Sequence, residues 1–209
     1  MPNEQGQPQD AADATPPAWG FLNPYAELDI YEHGRLPHWQ QGSVWYFITF
    51  RLADSIPRAI AERIKADREY WKKNHDANSL SAAEAAEYHR LFSKRYSELL
   101  DAAHGSCPLK VPENAKIVVD ALRFFENKRY ALDEYTVMPN HVHVLVKPLG
   151  EHTIAEILHS WKSHTAREIN KRMGGEGAFW MKESYDHIVR NERAMYAIRG
   201  YIQRNGGIK

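Results

Sequence analysis

The pattern of apolar and polar positions changes period several times along this chain, and the changes predict its strands. Residues 44–50 are aromatic and β-branched almost throughout, which is typical of a central strand. Residues 130–138 and 141–147 are two further strand candidates, and the turn signal Pro139-Asn140 between them predicts a hairpin. A fourth, short strand is predicted within residues 179–189.

Helical spacing of apolar residues fills most of the remaining chain. Pro57 predicts the start of a helix that runs to about residue 73, and the capping box at residues 81–84 predicts a second that reaches about residue 103. A third helix begins at Pro112, a fourth is capped by Thr153, and a last one runs from near Asn191 to Asn205. The fourth helix has one apolar face, formed by Ile154, Ile157, Leu158, Trp161, Thr165 and Ile169.

This order of elements predicts an α+β fold, in which an antiparallel sheet has helices packed on one face. Residues 1–18 are polar and proline-rich, so we expect a disordered leader, followed by a single domain over residues 19–209. Residues 57–103 are interpreted as a helical hairpin inserted into that domain. Residues 19–40, which mix aromatic and turn residues, are expected to form an irregular arm.

Charge and composition narrow the class of partner. The net charge is zero, but residues 34–209 hold 27 basic and 21 acidic side chains, a moderately basic body that is compatible with a polyanion. The one cysteine, Cys107, excludes an intramolecular disulfide. Neither a secretory signal nor an apolar run long enough to span a membrane is visible, so we expect a cytoplasmic protein without a membrane partner.

His141 and His143 are the sharpest chemical feature of the sequence. Alternate residues of a strand point to the same face, so the two imidazoles can share one metal ion while Val142 faces the core. The alternative is two surface histidines without a ligand. In either case we expect the histidines to lie on the surface, and their replacement to leave the fold largely intact.

The last helix offers a nucleophile and a further metal ligand. Tyr201 and Asn205 are one turn apart and share a face, so a phenol and an amide oxygen can reach the same ion, whereas Tyr196 projects elsewhere. The alternative for Tyr201 is simple packing against the sheet. Asp186 and His187, at the end of the short strand, are candidates for orienting the site, or alternatively a salt-bridged strand end.

Basic and hydroxyl side chains of the last third of the chain are candidates for phosphate contacts. On the fourth helix they form a polar face that is otherwise interpreted as solvated. The candidate DNA-binding residues are Lys162, Ser163, Arg167, Lys171, Arg190 and Arg199.

Several ordered blocks of the chain resemble one family. The stretch YTVMPNHVHVLV at residues 135–146 resembles the HUH motif of single-tyrosine transposases of bacterial insertion sequences, and the subgroup called REP-associated tyrosine transposases is the best match. Residues 47–55, 158–166 and 179–191 are similar to further blocks of that family. The resemblance extends over roughly residues 31–205.

The resemblance implies a ferredoxin-like fold and a metal-dependent reaction on DNA. His141 and His143 fall on the family's metal-binding histidines, Tyr201 on its nucleophile, and Asn205 on the position that often completes the metal site. It further implies Mg²⁺ or Mn²⁺ as the cofactor, and cleavage and rejoining of single-stranded, hairpin-forming repeat DNA through a 5′-phosphotyrosine bond. A bacterial cytoplasmic protein, nucleoid-associated when bound and either monomeric or homodimeric, is the corresponding expectation.

Three other functions remain open at this point. A non-transposing HUH nickase would use the same residues, and a cleavage-inactive protein would use the same fold only to bind DNA. The third is a metal-binding structural protein with no role on nucleic acid.

Overall fold

The structure is a computed structural model of the chain. It describes residues 20–23, 29–33, 36–75, 84, 87–88, 91–92 and 95–209. The strands are β1 (Asp29–His33), β2 (Leu36–Gln40), β3 (Tyr46–Arg51), β4 (Tyr130–Val137), β5 (His141–Pro148) and β6 (Tyr185–Ile188). The helices are α1 (Arg58–Lys73), α2 (Arg95–Asp101), α3 (Pro112–Phe124), α4 (Ile154–Met173) and α5 (Glu192–Arg204). None of these helices is long and apolar enough to cross a membrane.

Four strands form the main sheet in the order β4-β5-β3-β6, and every neighbouring pair is antiparallel. With α3 between β3 and β4, and α4 between β5 and β6, the chain order is the β-α-β-β-α-β arrangement of ferredoxin-like folds. The predicted α+β class is therefore confirmed.

One face of the main sheet carries the larger core. Alternate residues of the strands, such as Ile48 and Val144, pack there against α3 and α4. The stripe predicted for α4 is buried at every named position, from Ile154 to Ile169. Thr153 caps α4 because its side-chain oxygen accepts from the Glu156 N–H, and the Glu156 carboxylate accepts from the Thr153 N–H in return.

The opposite face of the sheet carries a smaller core. Phe47 of β3 and Leu145 of β5 pack there against Met195 and Ile202 of α5. The helices that complete the ferredoxin-like unit thus lie on one face, as predicted, and the C-terminal helix lies across the other. This second layer determines the environment of the candidate chemistry, because His141 and His143 point to the same side as Leu145.

Residues 29–40 correct one prediction. Where we expected an irregular arm, β1 and β2 form an antiparallel ribbon in which Glu32 is paired with Pro37. Both strands of a two-stranded ribbon are edge strands, where a proline is tolerated, so Pro37 is no obstacle to pairing. The predicted leader and the capping box at residues 81–83 lie outside the described residues, and of the second hairpin helix only its C-terminal part, α2, is described as a continuous helix.

The C-terminal segment fastens α5 to the edge strand β4. The backbones of Ile208 and Val137 exchange two hydrogen bonds of 2.8 and 3.0 Å, and the Arg199 guanidinium donates to the Asp133 carboxylate at 2.7 Å. Lys209 contacts the carboxylate of Glu134 at 3.1 Å. Because these contacts lie on both sides of Tyr201 in the sequence, they fix the helix turn that carries it.

Gly207 lies where this C-terminal segment crosses β4, and we expect Gly207→Ala to destabilise the protein by about 1–3 kcal/mol. A Cβ atom there would lie 2.4 Å from the Thr136 hydroxyl oxygen and 2.6 Å from the Val137 carbonyl oxygen, so the crossing would have to open. Urea denaturation measures the change. Gly175→Ala is the matched control, since its Cβ would meet nothing closer than 3.8 Å, and equal effects of the two substitutions would contradict the prediction.

Candidate active site

The two histidines of β5 are buried, which corrects the expectation that they lie on the surface. His141 is 0% and His143 1% exposed. The alternation of the strand is as predicted, since Val142 lies in the larger core and the imidazoles point to the opposite face. That face is covered because α5 packs across it and the end of α2 approaches it, a layer that the strand's own pattern cannot reveal.

Hydrogen bonds fix the orientation of both rings. The Asn140 amide Nδ2 donates to the His104 carbonyl at 2.9 Å, which leaves Asn140 Oδ1 to accept from His141 Nδ1 at 2.7 Å. His141 Nδ1 therefore carries the proton and His141 Nε2 keeps a lone pair. His143 Nδ1 lies 2.7 Å from the Thr49 hydroxyl, and the two Nε2 atoms face each other at 3.0 Å. Outer hydrogen bonds that aim imidazole lone pairs in this way are typical of metal-binding histidines.

Burial keeps these imidazoles neutral. It lowers the pKa of His141 to about 4, and it lowers the pKa of His143 well below its usual value, with a smaller contribution from His141. Neutral imidazole is the form that binds a metal. Both residues are thus ready to act as ligands at neutral pH without losing a proton.

The stability of the metal-free protein should fall in mild acid. The unfolded chain binds protons at these imidazoles below about pH 6.5, whereas folded His141 does so only near pH 4, so stability present above pH 6.5 is lost as the pH falls. We expect His141 alone to lower the free energy of unfolding by about 3 kcal/mol over this range. Urea denaturation in EDTA at a series of pH values measures it. The exposed His152 is the control: His152→Gln should leave the profile unchanged, and a flat wild-type profile would refute the prediction.

Tyr201 reaches the histidines from α5. Its hydroxyl lies 3.2 Å from His143 Nε2, and its ring meets the imidazole of His143 edge-on, with 5.1 Å between centroids. Burial raises the pKa of Tyr201, as does the Asp101 carboxylate, while contacts with the side chains of Asn205 and Ser97 act in the opposite direction. The phenol is therefore protonated and held in place at neutral pH.

The rival tyrosines lie elsewhere. Tyr196 is 60% exposed and its hydroxyl contacts Glu192, so the structure does not bring it to the histidines. Tyr185 is paired with Thr49, which puts it on the same sheet face as His143, but its ring packs edge-on against His187. Among these three tyrosines, Tyr201 has the hydroxyl that contacts a histidine of the H-x-H pair.

Asn205 ends α5 beside Tyr201. Its Nδ2 atom is buried and makes no hydrogen bond of ordinary geometry within the described residues. The Asn205 side chain nevertheless contacts the Tyr201 hydroxyl and lowers the pKa of that phenol, so it helps to position the hydroxyl. Its predicted role as a metal ligand remains a prediction.

Asp101 is the site residue that the sequence analysis missed. Its Oδ1 lies 3.6 Å from His141 Nε2, and one ligand atom from each of Asp101, His141 and His143 fits within 4.8 Å of the others. The only sequence signal was its position just before the His104-Gly105-Ser106 break that ends the helical hairpin. Nothing in the spacing connects that break with a strand forty residues later.

The structure separates the two residues proposed to orient the site. His187 is on the histidine face, where its ring packs against Phe47 at 5.4 Å, whereas Asp186 is paired with Ile48 and points to the face covered by α4. Adjacent residues of a strand face opposite sides of the sheet. The expectation that Asp186 and His187 together orient the site was therefore wrong for Asp186. Asp186 instead lines a cavity of about 810 Å³ between α4 and residues 177–184.

The predicted phosphate contacts are distributed over both sides of the sheet. Those on α4 lie on the face opposite the histidines. Lys162 donates to the Lys182 carbonyl and the Ser184 hydroxyl, and burial lowers its pKa to about 8. Arg199 is occupied by Asp133. The remaining four are exposed, namely Ser163, Arg167, Lys171 and Arg190.

Two neutral imidazoles, the carboxylate at the end of α2 and a tyrosine hydroxyl lie close together, and this set of donor atoms is compatible with a divalent metal ion. The model of the family described as "Transposase IS200 like" matches residues 116–205, a stretch that contains His141, His143, Tyr201 and Asn205. The resemblance inferred from the sequence is confirmed over this region. The match supports a transposase, an enzyme that acts on DNA.

Comparison of coordinates adds two likenesses at low similarity. A REP-associated tyrosine transposase bound to a REP hairpin has 13% identity and a TM-score of 0.41, over 85% of this chain and 76% of that one. A candidate transposase from Deinococcus radiodurans R1 has 13% identity and a TM-score of 0.32, over 85% of this chain and all of that one. At these TM-scores the fold assignment rests on the topology alone. A search of curated proteins found no match.

Proposed function

We propose that the chain is a metal-dependent single-stranded DNA endonuclease and strand transferase that acts on hairpin-forming DNA through a 5′-phosphotyrosine bond. The observation that carries the proposal is the contact between the Tyr201 hydroxyl and His143, whose Nε2 also faces that of His141. The family match to residues 116–205 supports DNA as the substrate. The hairpin and the single strand come from the sequence resemblance.

The reaction follows from the chemistry of a buried phenol. In cleavage, the Tyr201 oxygen forms a bond to phosphorus and its proton passes to solvent, while the bond from phosphorus to the 3′ oxygen breaks and that oxygen takes up a proton from solvent to leave a 3′-OH. Rejoining is the reverse, with the tyrosine oxygen as the leaving group. Because the covalent bond keeps the phosphodiester energy, rejoining needs no external energy source.

The residues around the phenol position it for this step. Ser97 and Asn205 contact its hydroxyl, and the Phe47 ring meets the tyrosine ring edge-on at 6.0 Å. Tyr201 is a weak nucleophile at neutral pH because the pKa of a phenol is about 10 and burial raises the pKa of Tyr201 further. The phosphate must therefore be made more electrophilic. The restricted position of the hydroxyl lowers the entropic part of the barrier.

A divalent cation fits the donor atoms present. Two ligands about 2.1 Å from one ion and at right angles are about 3.0 Å apart, which is the separation of the two Nε2 atoms. His141 Nε2 carries a lone pair directed to this point, and His143 Nε2 does so in the tautomer whose proton is on Nδ1, beside the Thr49 hydroxyl. When bound, Mg²⁺ or Mn²⁺ would supply a Lewis acid for the scissile phosphate.

The experiment that tests the proposal is adduct formation. The full chain is incubated with hairpin-containing single-stranded oligonucleotides and Mn²⁺, and the products are separated under denaturing conditions. We expect a protein–DNA adduct that resists denaturation and does not form in EDTA. DNA binding without any adduct would instead favour the cleavage-inactive alternative.

The exposed basic side chains of α4 are proposed to contact DNA phosphates. We expect the double substitution Arg167→Ala and Lys171→Ala to weaken binding to the hairpin oligonucleotide. The dependence of binding on salt should also become shallower, because a complex with fewer phosphate contacts releases fewer counterions when it forms. Fluorescence anisotropy at several salt concentrations measures both. Lys116→Ala is the control, because this exposed lysine is on α3 and not on α4, and like Arg167 it is paired with a neighbouring carboxylate. Equal losses for the control and the double variant would refute the placement on α4.

A further inference from the structure

The end of the inserted helical segment lies against the two histidines of the candidate metal site. Asp101, the last residue of α2, approaches His141 Nε2 to 3.6 Å, whereas its side chain is 38% exposed. His141 and His143 have almost no exposure, so Asp101 forms the solvent side of this cluster. A carboxylate in that position lies between the buried imidazoles and the solvent.

Hydrogen bonds that span the chain fix this approach. The His104 carbonyl accepts from Asn140, the residue that orients His141, and the Leu109 N–H donates to the Pro139 carbonyl at 3.3 Å. On the other side, the Ser106 N–H donates to the Asp54 carboxylate at 2.8 Å. The segment after α2 is thus fastened both to the turn before the histidines and to the loop after β3.

Gly105 shows how closely the same segment is packed. Its φ is +91°, in the region that favours glycine, and a Cβ atom there would lie 2.6 Å from the Asp54 carbonyl oxygen. A side chain at residue 105 would push the segment, and with it the end of α2, away from the histidines. The position of Asp101 is therefore determined by the packing and hydrogen bonds of the segment that follows α2.

The donor chemistry favours Asp101 over Asn205 as the group that accompanies the imidazoles. A carboxylate carries a charge that offsets that of a divalent ion, and oxygen anions are preferred by Mg²⁺ and Mn²⁺. The Asn205 amide is neutral and stands beside the Tyr201 hydroxyl. Two histidines and one carboxylate with open positions form a recurrent metal-binding set.

We propose that Asp101 is the third protein ligand of the metal held by His141 and His143, and that Asn205 acts on Tyr201 and the incoming phosphate. This inference rests on the metal-dependent function proposed above and assigns a ligand of that same site to the inserted helical segment. The insertion would then be part of the active site, since one of the ligands is carried at its end.

Metal binding tests the assignment without reference to activity. Mn²⁺ is titrated into the full-length protein without DNA, and free Mn²⁺ is followed by electron paramagnetic resonance. We expect Asp101→Asn, which keeps the size of the side chain, to weaken Mn²⁺ binding at least about 10-fold. Asn205→Ala should leave Mn²⁺ binding unchanged and reduce adduct formation. The reverse pattern would overturn the proposal.

Glu98 supplies the matched control. It lies one turn before Asp101 on α2, carries the same charge and is exposed. Glu98→Gln should leave Mn²⁺ binding unchanged, and a loss equal to that of Asp101→Asn would reduce the effect to general electrostatics and refute the assignment. Asp101→Cys keeps the proposal testable if the first variant is unstable: it should bind Mn²⁺ poorly but Zn²⁺ more tightly than the wild type, because a thiolate selects softer ions.

The outcomes separate this proposal from the one on which it rests. If the wild type binds no Mn²⁺, or His141→Ala binds it as tightly as the wild type does, the metal-dependent function itself fails. If binding requires His141 but not Asp101, only the ligand assignment fails.

Discussion

Replacement of Tyr201 by phenylalanine is expected to abolish the covalent protein–DNA adduct, by at least about 1,000-fold in the rate of its formation. The substitution removes the oxygen that contacts His143 and keeps the ring that packs against Phe47. DNA binding and the free energy of unfolding should therefore stay close to those of the wild type. Denaturing gels measure the adduct, and anisotropy measures binding.

Tyr196→Phe is the matched control for this experiment. Tyr196 is on the same helix, but its hydroxyl is exposed and contacts Glu192, so the adduct should form at the wild-type rate. Mass spectrometry of the adducted peptide identifies the attachment site. DNA found on Tyr185, which shares the sheet face of His143, or an adduct that survives in Tyr201→Phe, would show that the nucleophile has been misassigned.

His143→Ala is expected to have two effects at once. Cleavage should fall to background because a metal ligand is lost, and the free energy of unfolding should fall by about 2–4 kcal/mol because a fully buried ring is removed. The second effect differs from what a surface histidine would give. Because of this loss of stability, cleavage must be measured at a temperature well below the midpoint of unfolding of the variant.

Two controls separate chemistry from folding in this variant. His152→Ala removes an exposed imidazole and should change neither quantity. Excess EDTA added to the wild type should stop cleavage while leaving it folded. Full cleavage in EDTA, or normal cleavage by a folded His143→Ala protein, would contradict a metal at this site.

The sequence pattern was sufficient to predict which way a side chain points wherever that direction depends only on nearby residues of the chain. The stripe of α4, including Trp161 and Ile169, follows from helical periodicity, and the common direction of His141 and His143 follows from strand alternation. Both are local properties. The same reasoning separated Tyr201 from Tyr196, because five residues of helix turn them to different sides.

The remainder depends on contacts between distant parts of the chain. Periodicity shows that α5 has an apolar face, but not that this face covers the side of the sheet that holds the histidines. The burial of His143 was missed for that reason. Asp101 reaches the site through hydrogen bonds such as that from Asn140 to His104, which no spacing in the sequence encodes.

The packing of aromatic rings around Phe47 gives this site a spectroscopic reporter. The Phe47 ring is stacked on His143 with 5.5 Å between centroids and 21° between planes, and it meets Tyr201 and His187 edge-on. Ring currents of Phe47 will displace the proton resonances of the His143 imidazole from their positions in a free histidine. A nuclear magnetic resonance titration with diamagnetic Mg²⁺ can therefore follow the histidine and its tyrosine neighbour separately, in the absence of any DNA.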